Sequence, residues 1–340
     1  MKLIEHIIFD FILGLLAVSI VILGIFLYLS CKKEPVESEE SLPTQQIAAA
    51  YQLTDIDAAT DGFNSRRIIG HGRLGTVYSA VLSTGDLVAV KRIHPRLVLS
   101  NAGFGFSSII KKISQAHHQN IVPILGFSQA PGERILVMEF VGMVSLELYL
   151  HENNDGASLL DWSRRFRIAA GAARGLEYLH EGMAPNVIHG CIKASNILLD
   201  SKFSPRISDY GLSFMARQEK RGLLGYVDDE YWSDRDGGAS KESDVYGFGV
   251  VLLEILSGRR CEEGLLVKWA LPLIKAKRLT ELLDPRLVFP SDVKPFVRLA
   301  KVASACVGNS RKSRPSIVQV SAILNNLDDN HHISGKPFIH

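Results

Sequence analysis

Three closely spaced glycines have the type and spacing of a phosphate-binding loop. Gly70, Gly72 and Gly75 follow the pattern GxGxxG within the segment IGHGRLGTVY, and glycines allow a backbone to approach a phosphate closely. The motif alone is weakly specific. Its position between two predicted strands does not fit a dinucleotide-binding unit, in which a strand, the loop and a helix follow one another.

A lysine at the end of a strand gives the glycines a context. Val77 lies two residues after the last glycine, and the segment VAVK, which includes Ala89, ends in Lys91. The runs TVYSAVL and LVAVKRI are joined by the turn segment STGD, so they predict a hairpin directly behind the glycine-rich loop. This arrangement would place a positive charge beneath a loop that can bind phosphate.

A second group of candidate residues lies in VIHGCIKASNILLD and the SDYG that follows it. Lys193, Asn196 and Asp209 stand there, and asparagine and aspartate oxygens are suitable ligands for Mg²⁺. Further landmarks are DDE at 228–230, SDVYGFG and RPS. The order of a glycine-rich loop, a strand lysine, an asparagine and an aspartate is that of a protein kinase.

The sequence resembles the plant receptor-like kinase (RLK/Pelle) family over about residues 54–328. The resemblance is carried by AATDGFN, HHQNIVPILGF, LVMEFV, GLEYLHEG, NILLD and SDVYGFGVVLLEILSGR. It implies an α+β, two-lobed protein-kinase fold, with a small antiparallel β lobe (54–140) and a larger α-helical lobe (141–328). It also implies ATP with Mg²⁺ as cofactor and other receptor-like kinases or signalling proteins as partners.

The resemblance also implies roles for individual residues. The implied nucleotide-binding residues are Gly70, Gly72, Gly75, Val77, Ala89, Lys91, the gatekeeper Met138, and Glu139 and Val141 of the hinge. The implied metal-binding positions are Asn196 and Asp209. Glu230 and Arg314 match the family's buried structural ion pair, and Asp244 matches the acid that holds the catalytic loop.

The catalytic base of the family is missing. Where the family has HRD, this chain has His189, Gly190 and Cys191, and no Asp or Glu occurs between Glu181 and Asp200. A shifted alignment therefore cannot supply a carboxylate. A thiol is mostly protonated near neutral pH, so cysteine is a poor general base. A redox or nucleophilic role for this thiol is the less favoured alternative to a tolerated small residue.

The acid that normally holds the phosphate-binding lysine is also missing. Alignment of FSSIIKKISQAHHQNIV with the family places Ile109 at the position of that glutamate, and residues 87–132 contain no acid. We therefore expect Lys91 to pair with Asp209 instead.

The activation segment, DYGLSFMARQEKRGLLGYVDDE (209–230), departs from the family as well. It has no Ser or Thr after Ser213, and Leu223 stands where the pattern GTxGY has threonine. Gly190 replaces the arginine that would bind a phosphate on this segment. Regulation by loop phosphorylation is therefore not expected, and Leu223 also argues against binding of a substrate hydroxyl.

An apolar run, FILGLLAVSIVILGIFLYL, precedes the kinase-like region. It has the length of a transmembrane helix, assigned to 7–31, and Lys32 and Lys33 follow it, which predicts a cytosolic domain after residue 31 and an extracytosolic N-terminus of residues 1–6. A cleaved signal peptide is the alternative, although MKLIEH is not a basic region and no cleavage site precedes Lys32. We expect a single-pass protein of the plasma membrane.

The remaining segments are short. Residues 32–53 are rich in Glu, Ser and Pro at their start and predict a juxtamembrane linker, and 329–340 predict a C-terminal tail. Cys31 is a candidate for S-palmitoylation or a bystander. The four cysteines are scattered and the net charge is +2, which argues against a disulfide framework and against nucleic acid as a partner.

Three hypotheses about function follow from these observations. The favoured one is a membrane-anchored pseudokinase that keeps a nucleotide site and signals by binding partners. The second is a weakly active serine/threonine kinase, because the glycine loop, Lys91, Asn196 and Asp209 are retained. The third is a scaffold that binds no nucleotide.

Overall fold

The computed structural model describes residues 48–100, 105–142, 144–152, 160–216, 222–232, 238–262 and 264–334, with five isolated positions between Gly14 and Leu23. The chain divides into two units, Met1–Gln45 and Gln46–His340. Apart from those five positions, the predicted segments 1–6 and 7–31 with Cys31, and residues 32–47 of the predicted linker 32–53, lie outside the described residues. Within the described ranges, no helix is long and apolar enough to cross a bilayer.

The second unit begins with strands and continues mainly with helices. Its described strands are β1 (Ala49–Ala50), β2 (Ile68–His71), β3 (Gly75–Val81), β4 (Leu87–Ile93), β5 (Ile124–Ala130), β6 (Glu133–Glu139), β7 (Val144–Ser145), β8 (Ile197–Leu199) and β9 (Pro205–Ile207). Its described helices are α1 (Leu53–Ala59), α2 (Pro95–Ser100), α3 (Phe106–Ile113), α4 (Trp162–Glu177), α5 (Lys241–Ser257), α6 (Leu265–Lys275), α7 (Leu279–Leu282), α8 (Lys294–Cys306) and α9 (Ile317–Ser334).

The small lobe is built on a six-stranded sheet in the order β1-β5-β6-β4-β3-β2. The predicted hairpin is present as β3 and β4, which pair antiparallel with Val77 opposite Lys91. Side chains alternate between the two faces of a strand. Val88 and Val90 therefore join one apolar cluster, while Ala89 and Lys91 point to the other face, where the nucleotide site was predicted.

The folded unit extends beyond both predicted boundaries. Strand β1 pairs parallel with β5, with Ala49 opposite Gly126, so the end of the predicted linker 32–53 belongs to the sheet. A Cβ atom at Gly126 would come within 2.6 Å of the Ala49 carbonyl oxygen, so this pairing requires glycine. At the other end, α9 continues to Ser334, past the predicted limit at residue 328.

Helix α5 is the buried centre of the large lobe, as its nearly continuous apolar sequence predicts. It starts with a capping box between Ser240 and Ser243, and it ends at Gly258, which has a left-handed φ of 65°. These two features satisfy backbone groups at both ends of the helix. Helix α4 is capped by Asp161, whose side chain accepts a hydrogen bond from Arg164 N.

A small sheet, β7-β8-β9, positions the predicted metal-binding residues. Strand β8 starts directly after Asn196 and β9 ends just before Ser208, and Ile197 pairs with Ile207. The Ser208 N–H consequently donates to the Asn196 carbonyl oxygen at 2.9 Å. Asn196 and Asp209, which are distant in sequence, are thereby brought together.

Candidate active site

A cleft of about 690 Å³ brings together most of the residues assigned from the sequence. The assigned residues that line it are Gly70, Gly72, Val77, Ala89, Lys91, Met138, Glu139, Val141, Cys191, Lys193, Asn196 and Asp209. Val77, Ala89, Met138 and Val141 form an apolar part suited to a flat base. Leu198 of β8 also lines the cleft and was missed, because the segment NILLD does not indicate which leucine faces the site.

Gly75 shapes the glycine-rich loop without lining the cleft. It lies in β3, where a Cβ atom would come 2.0 Å from the Arg92 carbonyl oxygen of β4, so only glycine permits this strand pairing. Its own carbonyl oxygen accepts a hydrogen bond from Gly72 N at 2.9 Å. Gly75 thus closes the base of the loop, while Gly70 and Gly72 face the cleft.

Lys91 forms a salt bridge with Asp209, as expected from the loss of its usual partner. Both side chains are largely buried. Burial favours the neutral carboxyl group, but the Lys91 ammonium outweighs this effect, and the pKa of Asp209 is lowered below its usual range. Asp209 therefore carries a negative charge at neutral pH and is available to a cation.

Ile109 is a packing residue of α3 in this structure. It is half-buried and contacts the main apolar core, together with the buried Phe106, Ile110 and Ile113 of the same helix. Helix α3 thus presents an apolar surface to the core and offers Lys91 no carboxylate.

Asp244 holds the catalytic loop from helix α5. Its carboxylate accepts hydrogen bonds from His189 N and Gly190 N, both at 2.7 Å, and lies 2.9 Å from His180 Nε2. The His189 ring donates from Nε2 to the Ser208 carbonyl oxygen at 3.0 Å. Burial lowers the pKa of His189, so this imidazole is neutral and acts as part of the scaffold.

Cys191 lies in an apolar cluster at the position of the missing base. It is 7% exposed and clusters with Leu223, which is fully buried, and with Tyr231. The partly buried Val227 and Trp232 pack against this cluster. The activation segment therefore packs apolar side chains against the base position, while Cys191 still lines the cleft. The two sequence departures at Cys191 and Leu223 form one structural feature.

Gly190 adopts a backbone conformation that disfavours the family's arginine. Its φ is 79°, and a Cβ atom there would come 2.4 Å from the Ser213 Cβ atom and 3.2 Å from that of Ala239. The space for a side chain is occupied by the activation segment. An arginine at this position would require movement of the backbone, in addition to a change of residue.

Asn196 and Asp209 fit a magnesium ion that is shared with phosphate groups. The Asn196 amide nitrogen donates to the Cys191 carbonyl oxygen at 2.9 Å, which leaves its Oδ1 atom for a cation. Lys91 binds Oδ1 of Asp209, which leaves Oδ2. Two protein oxygens are sufficient because Mg²⁺ usually completes its shell with phosphates and water. Among the described residues no group of three or more metal-binding side chains occurs.

The predicted ion pair between Glu230 and Arg314 is wrong. Arg314 Nη1 pairs with Asp228, which is 3% exposed and also accepts from Arg311 at 3.0 Å. Glu230 is exposed and accepts a hydrogen bond from the backbone N–H of Arg311 at 2.9 Å. A buried guanidinium needs a buried carboxylate, and the DDE motif does not reveal which acid is buried.

Arg73, at the tip of the glycine-rich loop, was not assigned from the sequence. Its Nη1 atom donates to the Ala216 carbonyl oxygen of the activation segment at 3.0 Å. The loop is thereby connected to the opposite side of the cleft. The only signal in the sequence is a long cationic side chain between the glycines.

Comparison with known proteins identifies the family. A family model described as protein tyrosine and serine/threonine kinase matches residues 63–324. The chain belongs to the protein kinase family. Among the relatives of this kinase domain is the serine/threonine-protein kinase-like protein CCR2 of Arabidopsis thaliana, which is 38% identical over 81% of the chain and 34% of the relative. The proline-rich receptor-like protein kinase PERK13 of Arabidopsis thaliana is 38% identical over 83% of the chain and 41% of the relative.

A solved structure supports the fold. The pseudokinase domain of BIR2, described as an immune regulator of the RLK/Pelle family, is 34% identical to this kinase domain, with a TM-score of 0.70 over 87% of this chain and 93% of that one. The predicted two-lobed kinase fold is confirmed, and plant receptor-like kinases are among its relatives. The chain spans about a quarter to two fifths of the curated relatives cited first.

Proposed function

We propose that this chain is a membrane-anchored pseudokinase that binds ATP with Mg²⁺ but has impaired phosphate transfer, and that acts in signalling by binding partner kinases or receptors. The observation that carries the proposal is the packing of Cys191, which is 7% exposed, in an apolar cluster with Leu223. This position would have to hold the base and admit the substrate hydroxyl. Loss of a positioned base typically costs a factor of about 10²–10⁴ in rate.

Nucleotide binding is supported by the composition of the cleft. Val77, Ala89 and Met138 would contact the base, and Lys91 and Lys193 would bind phosphate groups. When Mg²⁺ is bound, it would neutralise phosphate charge, held by Asn196 and Asp209. The salt bridge between Lys91 and Asp209 must rearrange to admit the phosphates, so we expect the affinity to be low.

Membrane anchoring is supported by the apolar run before residue 31 and the two lysines that follow it. The relatives among receptor-like kinases support a location at the plasma membrane with the kinase domain in the cytosol. The same relatives support receptor-like kinases as partners.

A weak kinase is the second candidate, since all residues needed to hold Mg²⁺ and phosphate lie in one cleft. A scaffold that binds no nucleotide is the third, favoured by the neutralising salt bridge at Lys91. The weak kinase differs from the proposed function in phosphate transfer, and the scaffold differs from it in nucleotide binding.

The test combines thermal unfolding with a phosphotransfer assay on the purified full chain. We expect ATP with Mg²⁺ to raise the Tm without detectable transfer; ligand at about 100 times its Kd stabilises by roughly 2.7 kcal/mol. Lys91→Met should abolish this shift, whereas Lys202→Met, at an exposed turn, should not. Transfer that disappears in Lys91→Met would establish the weak kinase, and an unchanged Tm with ATP would establish the scaffold.

A further inference from the structure

A second cavity shares no residue with the nucleotide cleft. It measures about 580 Å³ and is formed by helices α6 and α8 with Leu279 of α7. Leu271, Ile274 and Val297 line it and are only partly covered by the protein. We call this cavity the α6–α8 groove. It exposes an apolar surface that the folded domain does not fill.

The rim of the α6–α8 groove is positively charged. Lys275, Lys277 and Lys301 line it, and no Asp or Glu does. All three lysines are exposed, and within the described part of the chain none of them forms an ion pair. An apolar floor with a cationic rim is complementary to a ligand with an apolar stripe bordered by negative charges.

Lys277 occupies a position that normally favours glycine. Its φ is 57°, and hydrogen bonds from Lys277 N to Ile274 O and from Arg278 N to Leu273 O end helix α6 in a Schellman motif. A left-handed conformation is costly for lysine. The chain thus retains a charge at the rim where glycine would be more stable.

We propose that the α6–α8 groove is a docking site for an acidic amphipathic helix of a partner protein. The partner would place apolar residues spaced i, i+3, i+4 and i+7 on the floor and its Asp or Glu side chains near the three lysines. A helix fits better than an anionic membrane, because a flat surface cannot reach the floor of a concave groove. This site goes beyond the proposed function, since it involves neither nucleotide nor the loss of phosphate transfer.

The test measures fluorescence anisotropy of a labelled synthetic helix with the purified full chain in non-ionic detergent. The peptide has about 18 residues, with leucine at the four spaced positions, glutamate at the positions that border them, and alanine or glutamine elsewhere so that it can form a helix. We expect saturable binding and at least tenfold weaker binding when Lys275, Lys277 and Lys301 are all changed to Glu. Lys312→Glu, at an exposed site outside the groove, should leave the affinity unchanged.

Lys277→Gly separates docking from folding. It should raise the Tm, because glycine adopts the left-handed conformation without strain, and it should weaken peptide binding about two- to fivefold, because it removes one charge. Unchanged affinity in this variant, or equal binding of a peptide with lysine in place of glutamate, would overturn the proposal. Displacement of the peptide by micelles that contain phosphatidylserine would identify a membrane surface and would also overturn it.

Discussion

Single residues of the catalytic loop pack against particular residues of the activation segment. Gly190 has no side chain, and the Ser213 Cβ atom lies 2.4 Å from the place that a Cβ atom of residue 190 would take. Cys191 packs with Leu223. In each pair, a small or apolar residue of the catalytic loop lies against a residue of the activation segment that occupies the adjoining space. Substitution of one residue of a pair should therefore change the free energy of unfolding, and substitution of both should show whether they interact.

Gly190→Ala should lower the free energy of unfolding by about 2–4 kcal/mol, because the new Cβ atom combines a strained φ with overpacking. Gly62 is a matched control, since its φ is 67° and no atom lies within 4 Å of a hypothetical Cβ; Gly62→Ala should cost only about 1 kcal/mol. Urea unfolding of both variants gives the comparison. Equal costs would contradict the steric role of Ser213, as would the failure of Ser213→Gly to reduce the cost of Gly190→Ala.

Cys191→Asp should destabilise the fold by about 2–3 kcal/mol, because it buries a polar group in an apolar cluster. Leu223→Thr in the same chain should reduce this loss by offering a hydroxyl partner. Cys191→Ala, which keeps the cluster apolar, is the control. Thermal unfolding of the single and double variants supplies the coupling energy; additive losses would show that the two positions do not interact.

The same pair bears on activity. We expect a chain that carries Cys191→Asp, Leu223→Thr and Ile109→Glu together to show partial phosphotransfer activity in a phosphotransfer assay.

At the scale of elements, the site depends on contacts between the glycine-rich loop, helix α5 and the activation segment. Asp244 of α5 binds two consecutive backbone N–H groups of the catalytic loop. Arg73 connects the β2–β3 loop to Ala216 at 3.0 Å. The first contact fixes a buried loop, whereas the second joins the glycine-rich loop to the activation segment across the cleft.

Arg73→Ala should increase amide hydrogen exchange in residues 69–77 and accelerate nucleotide association, because the hydrogen bond across the cleft is lost. Arg66→Ala is a suitable control, since Arg66 is exposed in the same lobe and lines no part of the cleft. Stopped-flow fluorescence with a labelled ATP analogue gives the rate. If both variants behave like the unmodified chain, the Arg73 contact does not restrict access.

At the scale of the whole molecule, the buried neutral imidazole of His189 links stability to pH. Its pKa is lowered in the fold, so the unfolded chain takes up a proton near pH 6.5 while the folded chain does not. The stability contributed by this residue is therefore complete above about pH 6.5 and is lost as the pH falls.

We expect the free energy of unfolding to decrease as the pH falls below about 6.5. The decrease should be smaller in His189→Gln, which removes the titrating group. His118 has a lowered pKa as well, caused mainly by burial. The variant His118→Gln measures how much of the decrease in the free energy of unfolding comes from His118. Chemical unfolding at several pH values gives the slope of the free energy of unfolding against pH. Identical slopes in the unmodified chain and in His189→Gln would contradict the link between His189 and stability.

Local patterns predicted the elements and the chemical groups, but not all of their partners. The β3–β4 hairpin, helix α5 and the pairing of Lys91 with Asp209 follow from residue types and from the absence of other acids nearby in sequence. The pairing of Arg314 with Asp228, the packing of β1 on Gly126 and the contact of Arg73 depend on distances between segments remote in sequence. No periodicity or motif encodes those distances.

The left-handed conformation of Gly190 also has an evolutionary consequence. A single substitution to arginine would meet Ser213 before it could bind any phosphate, and a single return of aspartate at Cys191 would meet an apolar lid. Under the proposed function, each of these single substitutions toward an active enzyme would therefore lower the stability of the fold. If phosphate transfer is impaired as proposed, an active descendant of this chain would need several coupled substitutions rather than one.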